Sequence, residues 1–322
     1  MKKINLPYTL VDLQPELSSF KDDVIAGLGQ MPKTLPAKHF YDKTGSELFN
    51  AITKLPEYYV SRAEMEILHD FGPDIAAAIG GQAHIIELGS GSFEKINQVL
   101  PFLDKPAAYK PVDISISALQ DTAEQVLKYY PALEVTGICA DYTSTLEFLH
   151  EDLEINKTIC FLGSTIGNFQ REEATDFLQS LGSELAADGQ ILIGVDLKKD
   201  TSLLHKAYND EKGITAAFNL NILERMNKEM NAGIHADDFM HHAFYSEEKG
   251  RIEMHIQSNK EQFISLEEHT FHFSKGETIH TENSHKFSIS EFIALVDQAH
   301  LEVDAFWTDE NEWFGVFLLK KP

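Results

Sequence analysis

A chain of 322 residues, 43 % hydrophobic and 24 % charged, can bury one large core or two smaller ones and has the balance of an ordinary globular protein. Twenty-seven basic against 51 acidic side chains leave a formal net charge of −24. Such a surface argues against nucleic-acid binding, which relies on clustered Lys and Arg releasing counterions from phosphates.

No apolar run approaches a membrane span, and Met1-Lys2-Lys3 is not followed by a signal-type segment. Cys139 and Cys160 fall in predicted core strands outside any C-x-x-C pair, so buried reduced thiols are expected. A cytoplasmic monomer without a membrane partner is the expectation.

Residues 1 to 60 show no strand–helix rhythm, although His39-Phe40-Tyr41 and Leu55-Pro56-Glu57-Tyr58-Tyr59 make them rich in aromatics. Ser61-Arg62-Ala63-Glu64 has the form of a capping box and predicts a helix to Ile79, stopped by Gly80-Gly81. Strand 83–89, helix 93–103, strand 108–114, helix 116–129 and strand 133–140 then alternate. Strand 158–164, helix 171–186 and strand 190–196 continue the pattern. Strands joined by helices lie parallel with right-handed crossovers, which predicts an α/β doubly wound sheet.

The rhythm breaks over 201–285, which offers helices at 201–210 and 214–231 and strand-like runs at 242–246, 251–258 and 262–273. It resumes with helix 288–300, capped by Ser288 and Glu291, and an antiparallel hairpin over 301–307 and 313–317. A parallel sheet finished by such a hairpin suits methyltransferases that use S-adenosylmethionine (SAM) better than dehydrogenases. The expected core is therefore 62–200 with 286–322, and a substrate-binding domain is expected from 1–61 with 201–285.

The segment His84-Ile85-Ile86-Glu87-Leu88-Gly89-Ser90-Gly91-Ser92 organises this core. A buried strand turns sharply into a helix through two glycines, with Ser92 as the expected N-cap, leaving room for a ligand against the backbone. Glu94 stands where the dinucleotide fingerprint has its third glycine. A carboxylate there repels a pyrophosphate and tolerates the positive sulfonium of SAM, so SAM is favoured over NAD.

Asp113, ending the second strand, can accept from ribose hydroxyls or cap the helix after it. Asp141-Tyr142, ending the third, can take an adenine amino group and cover its ring, or form a solvated turn. Gly163-Ser164-Thr165-Ile166-Gly167-Asn168 ends the fourth strand; its small residues let backbone come close. Asn168 offers donor and acceptor to a zwitterion, or caps helix 171–186. His241-His242 point apart and His269 and His272 lie on opposite strand faces, so no metal is expected.

These features together resemble the histidine-specific SAM-dependent Nα-methyltransferases that form hercynine in ergothioneine biosynthesis. The likeness runs from about residue 30 to the end. It is carried by Phe40-Tyr41-Asp42 with Gly45-Ser46-Glu47-Leu48-Phe49, Leu55-Pro56-Glu57-Tyr58-Tyr59, Glu87-Leu88-Gly89-Ser90-Gly91 and Phe161-Leu162-Gly163-Ser164-Thr165-Ile166-Gly167-Asn168-Phe169. Ala207-Tyr208-Asn209-Asp210, Thr215-Ala216-Ala217-Phe218-Asn219 and Ile279-His280-Thr281-Glu282-Asn283-Ser284 complete the set.

The resemblance implies that Gly89, Lys95, Asp113, Asp141 and Tyr142 hold SAM. It implies that Tyr58, Asn168 and Tyr208 hold the amino and carboxylate groups of the substrate, with Tyr58 and Asn168 placing the reacting nitrogen. Glu282 and Ser284 grip the imidazole from a polar loop that includes Asn283; Tyr41, Phe49, Met254 and Gly163 line the pocket. Aromatic faces at Tyr41 and Tyr58 suit the growing quaternary ammonium. The alternatives are an N-methyltransferase of another aromatic amino acid such as tryptophan, and a SAM-binding module without catalysis.

Overall fold

A computed structural model describes residues 7–13, 20–91, 93–152 and 157–322. The chain divides into two compact units: Met1–Glu16 with Ala63–Leu197 and Phe287–Pro322, and Leu17–Arg62 with Lys198–Lys286.

The first unit is built on an eight-stranded sheet. Its strands hydrogen-bond in the order Thr9–Asp12, Glu134–Cys139, Ala108–Asp113, His84–Leu88, Lys157–Phe161, Gln190–Asp196, Phe314–Lys320, Glu302–Thr308. The first six run parallel and the last two pair antiparallel. This is the class I SAM-dependent methyltransferase arrangement. The order reverses beside His84–Leu88, and ligands of open α/β sheets bind at the carboxyl ends of strands around such a point.

Ile86, Leu88, Phe161 and Ile193 of the strands bury against Leu178 and Leu181 of helix Arg171–Ser183. Phe292 and Val296 of helix Ile289–Gln298 join the same core through Phe317. Each such side chain, fully removed from water, stabilises the unit by about 1.5–3 kcal/mol. Ser288 and Glu291 form the expected capping box.

Several expectations need correction. Thr9–Asp12 extends the first unit's sheet by pairing in parallel with Glu134–Cys139, so residues 1–61 do not all belong with the substrate-binding segments. Four largely exposed residues carry no periodicity to betray that strand. The predicted helix from Ser61 to Ile79 is two helices, Tyr59–Asp70 and Gly72–Ile79. Pro73 explains the break, because it supplies no N–H to continue a helix and suits a first turn. Ser61 lies inside the first helix rather than capping it. Ser92 lies outside the described residues.

The second unit has a four-stranded sheet in the order Lys33–Thr34, Thr278–His285, Arg251–Ser258, Phe239–Ser246. The run predicted over 262–273 is a hairpin, Gln262–Leu266 paired with His269–Phe273, turning at Glu267 with φ 51°. Helices Phe20–Leu28, Lys43–Ile52, Thr201–Tyr208 and Ile214–Met230 complete it. Asp42 caps the second of these by accepting from Gly45 N at 2.7 Å, and it also accepts from Asn221 Nδ2 at 2.9 Å. Asp210 accepts from the backbone N–H of Ile214 and of Thr215, anchoring the long helix. Among the described residues no helix is long and apolar enough to cross a membrane.

Candidate active site

In the first unit the candidate cofactor residues are gathered by backbone turns. Gly89 and Gly91 have φ of +68° and +39°, a region side chains rarely adopt. A Cβ on Gly89 would come within 3.2 Å of the Tyr142 hydroxyl, so the tyrosine ring lies against the turn. That ring packs edge-on to Phe161 at 5.7 Å between centroids.

Asp113 joins the ends of two strands. Its Oδ2 accepts from Gly91 N at 3.2 Å and its Oδ1 from Ser115 N at 2.8 Å. Burial raises the pKa of its carboxyl, and the N–H groups of Ser115 and Gly91 partly offset this. The helix after it is capped by Ser115, not by Asp113. Asp141 is buried and accepts at Oδ1 from the N–H and hydroxyl of Thr143. Among the described residues the turn has open backbone, two carboxylates, an aromatic ring and no basic cluster, which fits a nucleoside with a cationic sulfur better than a phosphate.

Lys95 lies 2.8 Å from Glu64 Oε2, and Glu64 is fully buried. The other oxygen of Glu64 accepts from Gly163 N at 2.6 Å. A side chain on Gly163, where φ is +85°, would collide with Lys95 Nζ at 2.7 Å. Lys95 and Gly163 are therefore held in one Glu64-centred network that ties the end of strand Lys157–Phe161 to helices Tyr59–Asp70 and Phe93–Val99. The positive φ at Gly163 is what disfavours a side chain there, since the lysine end could move aside. Asn168 ends the 3-10 turn Thr165–Asn168. It does not cap the next helix, because Gln170 does so, and its amide has no hydrogen-bond partner among the described residues.

In the second unit the predicted polar loop around Glu282 is in fact the strand Thr278–His285. It pairs antiparallel with Arg251–Ser258, and a bulge between His280 and Glu282 shifts the register. The bulge sets Glu282 opposite Met254 and Ser284 opposite Ile252, on one face. Tyr208 donates its hydroxyl hydrogen to Ser284 Oγ at 2.8 Å. Lys286 Nζ donates to Ser284 Oγ at 2.7 Å and to Tyr208 Oη at 3.2 Å. The Glu282 carboxyl makes no hydrogen bond among the described residues; burial raises its pKa to about 7, with the Lys286 charge pulling the other way.

Aromatic rings extend from this point. Tyr208 packs on Tyr58 at 6.3 Å, Tyr58 on Phe49 at 6.5 Å and Phe49 on Tyr41 at 5.6 Å between centroids. Phe218 contacts both Tyr41 and Phe49. Tyr41, Phe49, Tyr58, Tyr208, Met254, Glu282 and Ser284 thus fall together in one unit.

Asn283 does not join them. Adjacent strand residues face opposite ways, and Asn283 stands opposite Glu253. The alternation sets it apart from Glu282 and Ser284, with which the sequence grouped it. On that other face Glu253, His255 and His280 offer ligand atoms within 4.8 Å of one another, a spacing that cross-strand pairing creates and sequence spacing hides. Lys249 and Arg251 already donate to Glu253 Oε1. Burial opposes the charge on Glu253, but hydrogen bonds from Lys249, Arg251 and His255 hold its pKa down at about 2. The cluster is an ion-pair network in this structure. Lys286, which the sequence reading passed over, continues the two-residue alternation of Glu282 and Ser284.

A family model described as "Histidine-specific methyltransferase, SAM-dependent" matches residues 20–321. The chain belongs to this family. It is 36% identical over 306 residues to "Histidine N-alpha-methyltransferase" of Mycolicibacterium smegmatis, covering 93% of this chain and 94% of that one. The protein of the same name from Mycobacterium tuberculosis is 36% identical over 308 residues, with 94% and 95% covered. "Ergothioneine biosynthesis protein 1" of Neurospora crassa is 35% identical over 298 residues, matching 90% of this chain but 33% of the larger fungal protein. As a histidine-specific methyltransferase of this family the chain is a SAM-dependent enzyme.

Proposed function

We propose that this enzyme transfers methyl groups from SAM to the α-amino nitrogen of free L-histidine. Three transfers give Nα,Nα,Nα-trimethylhistidine (hercynine), the first step of ergothioneine biosynthesis, and the reaction takes place in the cytoplasm. The observation that carries this is the grouping of Glu282, Ser284 and Tyr208 on one face beside an aromatic row. The full-length match to relatives named histidine N-alpha-methyltransferase supports the same reading.

Bound SAM supplies a methyl group on a positively charged sulfur. The first unit supplies the bed for it: Gly89 for backbone approach, Asp113 and Asp141 as acceptors, Tyr142 as a ring face and Lys95 beside them. The second unit holds the amino acid. Glu282, ionised, accepts a ring N–H, and Ser284 meets the other ring nitrogen. Tyr58 and Tyr208 engage the amino and carboxylate groups and orient the nitrogen lone pair. Orientation is the main demand, since displacement at a sulfonium methyl needs an unprotonated amine held in line more than a strong base. Aromatic faces at Tyr41 and Tyr58 stabilise the charge that builds on the nitrogen as methyl groups accumulate.

Indole, with one N–H and no ring acceptor, would leave Ser284 unmatched in a closed site, and sites of that kind discriminate strongly. The test is mass spectrometry of reactions containing methyl-labelled SAM and each of the twenty amino acids in turn. Labelled methyl on the α-nitrogen of histidine alone is expected; label on tryptophan, or none on histidine, overturns the reading.

A further inference from the structure

A serine hydroxyl has one hydrogen and two lone pairs. At Ser284 both lone pairs face donors, Tyr208 Oη at 2.8 Å and Lys286 Nζ at 2.7 Å. The Tyr208 hydroxyl has spent its own hydrogen on Ser284 and accepts from Lys286 at 3.2 Å. Both acceptor sites of Ser284 are thus taken by donors. The hydrogen of Ser284 can go to neither neighbour.

Lys286 is fully buried, and its Nζ also stands 5.0 Å from the centroid of the Tyr208 ring. An ammonium has three hydrogens and no lone pair, so it always donates. Were a neutral apolar chain in its place, Ser284 could turn its hydrogen inward or outward and accept or donate at will. With the ammonium there, that freedom is gone.

We propose that Lys286 is a positioning residue for substrate choice: by donating to Ser284 it fixes that hydroxyl as a hydrogen-bond donor, so that the pocket selects a ring nitrogen carrying a lone pair. This rests on the histidine reading above and adds the direction of the bond. Glu282 takes a ring N–H and Ser284 gives a hydrogen to the opposite nitrogen, a pattern that a neutral imidazole meets. A ring bearing only N–H or C–H groups leaves the Ser284 hydrogen unmatched. Sequence spacing already contains the device, because Glu282, Ser284 and Lys286 alternate onto one side.

The test is a double-mutant cycle in steady-state kinetics, with histidine varied at saturating SAM, on the wild type, Ser284→Ala, Lys286→Met and the double variant. Ser284→Ala is expected to raise the histidine KM about tenfold, the cost of one hydrogen bond. Lys286→Met is expected to raise it to a similar extent with kcat nearly unchanged, and the double variant to be no worse than either single one. SAM affinity by calorimetry should be equal in all four, which reports an intact fold. If Lys286→Met multiplies the KM of the Ser284→Ala protein as strongly as that of the wild type, Lys286 does not act through Ser284 and the proposal fails.

If Ser284→Ala alone leaves the histidine KM unchanged, the imidazole reading itself is wrong. If Ser284→Ala acts and Lys286→Met does not, only the role of Lys286 falls. Should Lys286→Met not fold, Lys286→Gln replaces it, since it keeps an N–H donor without the charge. A histidine KM within about threefold of wild type then supports fixing by donation, and a KM as high as that of Ser284→Ala overturns it.

Discussion

The two units reach their sites by different routes. In the first, the ligand bed is made at strand ends by local backbone events: positive φ at Gly89 and Gly91, a carboxylate at Asp113 reaching back to Gly91 N, a tyrosine laid on a glycine. In the second, the site is a face of an antiparallel sheet, to which Tyr58, Tyr208, Met254, Glu282, Ser284 and Lys286 come from segments far apart in the chain. A backbone-built bed suits a ligand whose identity never has to change. A side-chain face suits the partner that must be told from nineteen similar molecules, because each side chain can be changed without disturbing the turn.

If this division holds, substitutions in one unit move one ligand and spare the other. The largest effect is expected from Glu282→Ala, which should weaken histidine binding by about 1.5–3 kcal/mol, the range for a hydrogen bond to a charged group. Calorimetry checks it, and SAM affinity should stay the same. An unchanged histidine affinity would take Glu282 out of the imidazole site.

The same carboxyl sets a pH dependence. With a pKa of about 7, Glu282 is protonated below that pH and loses the negative charge that makes it a strong acceptor for a ring N–H. The kcat/KM for histidine should therefore climb as pH rises through 7, and Glu282→Gln should lose the part of that rise owed to the carboxyl, keeping only the rise set by the imidazole and amine of histidine itself. A profile of unchanged shape in the glutamine variant assigns the titration elsewhere.

A smaller, complementary change is expected from Asp113→Ala. It removes the acceptor meant for the ribose and frees Gly91 N, and SAM binding should weaken by about 1–2 kcal/mol. The histidine KM at saturating SAM should not move. Equal SAM affinity in a titration would mean that Asp113 serves only the turn it braces. The smallest effect is expected from Tyr58→Phe, which takes away one hydroxyl and leaves the ring. The methylation rate should fall about three- to tenfold, for roughly 1 kcal/mol of lost orientation, with SAM binding intact. An unaltered rate would make Tyr58 a packing residue.

The difference between the units also decided what the sequence disclosed. The sheet of the first unit was readable because a parallel strand buried on both faces is a short apolar run ended by a glycine turn, and its helix follows at once. Helix Ile116–Tyr129 and strand Gln190–Asp196 fall where the pattern places them. Edge strand Thr9–Asp12 escaped because one exposed pairing leaves no hydrophobic signature.

The second unit hid its strand at Thr278–His285, whose polar residues read as a loop. Its β-bulge before Glu282 cannot be seen from spacing; once the strand is known, alternation puts Glu282 and Ser284 on one face and Asn283 on the other, opposite Glu253. Lys95 and Gly163 show a further limit. Their proximity passes through Glu64, which is distant in sequence from Gly163 and reads locally only as the end of a capping box. Only the resemblance linked these scattered residues beforehand, because a site made by tertiary pairing leaves no local period.

The central claim is that the second unit recognises a neutral imidazole between one acceptor and one donor. It is tested most directly by nitrogen NMR of ring-labelled histidine in the complex with enzyme and S-adenosylhomocysteine. At a pH near the ring's own pKa, two distinct resonances are expected, one from a protonated nitrogen and one from a nitrogen bearing a lone pair. Both should shift when Glu282→Gln or Ser284→Ala is introduced. Two equivalent imidazolium-like signals, or a ring indistinguishable from free histidine, would contradict the account.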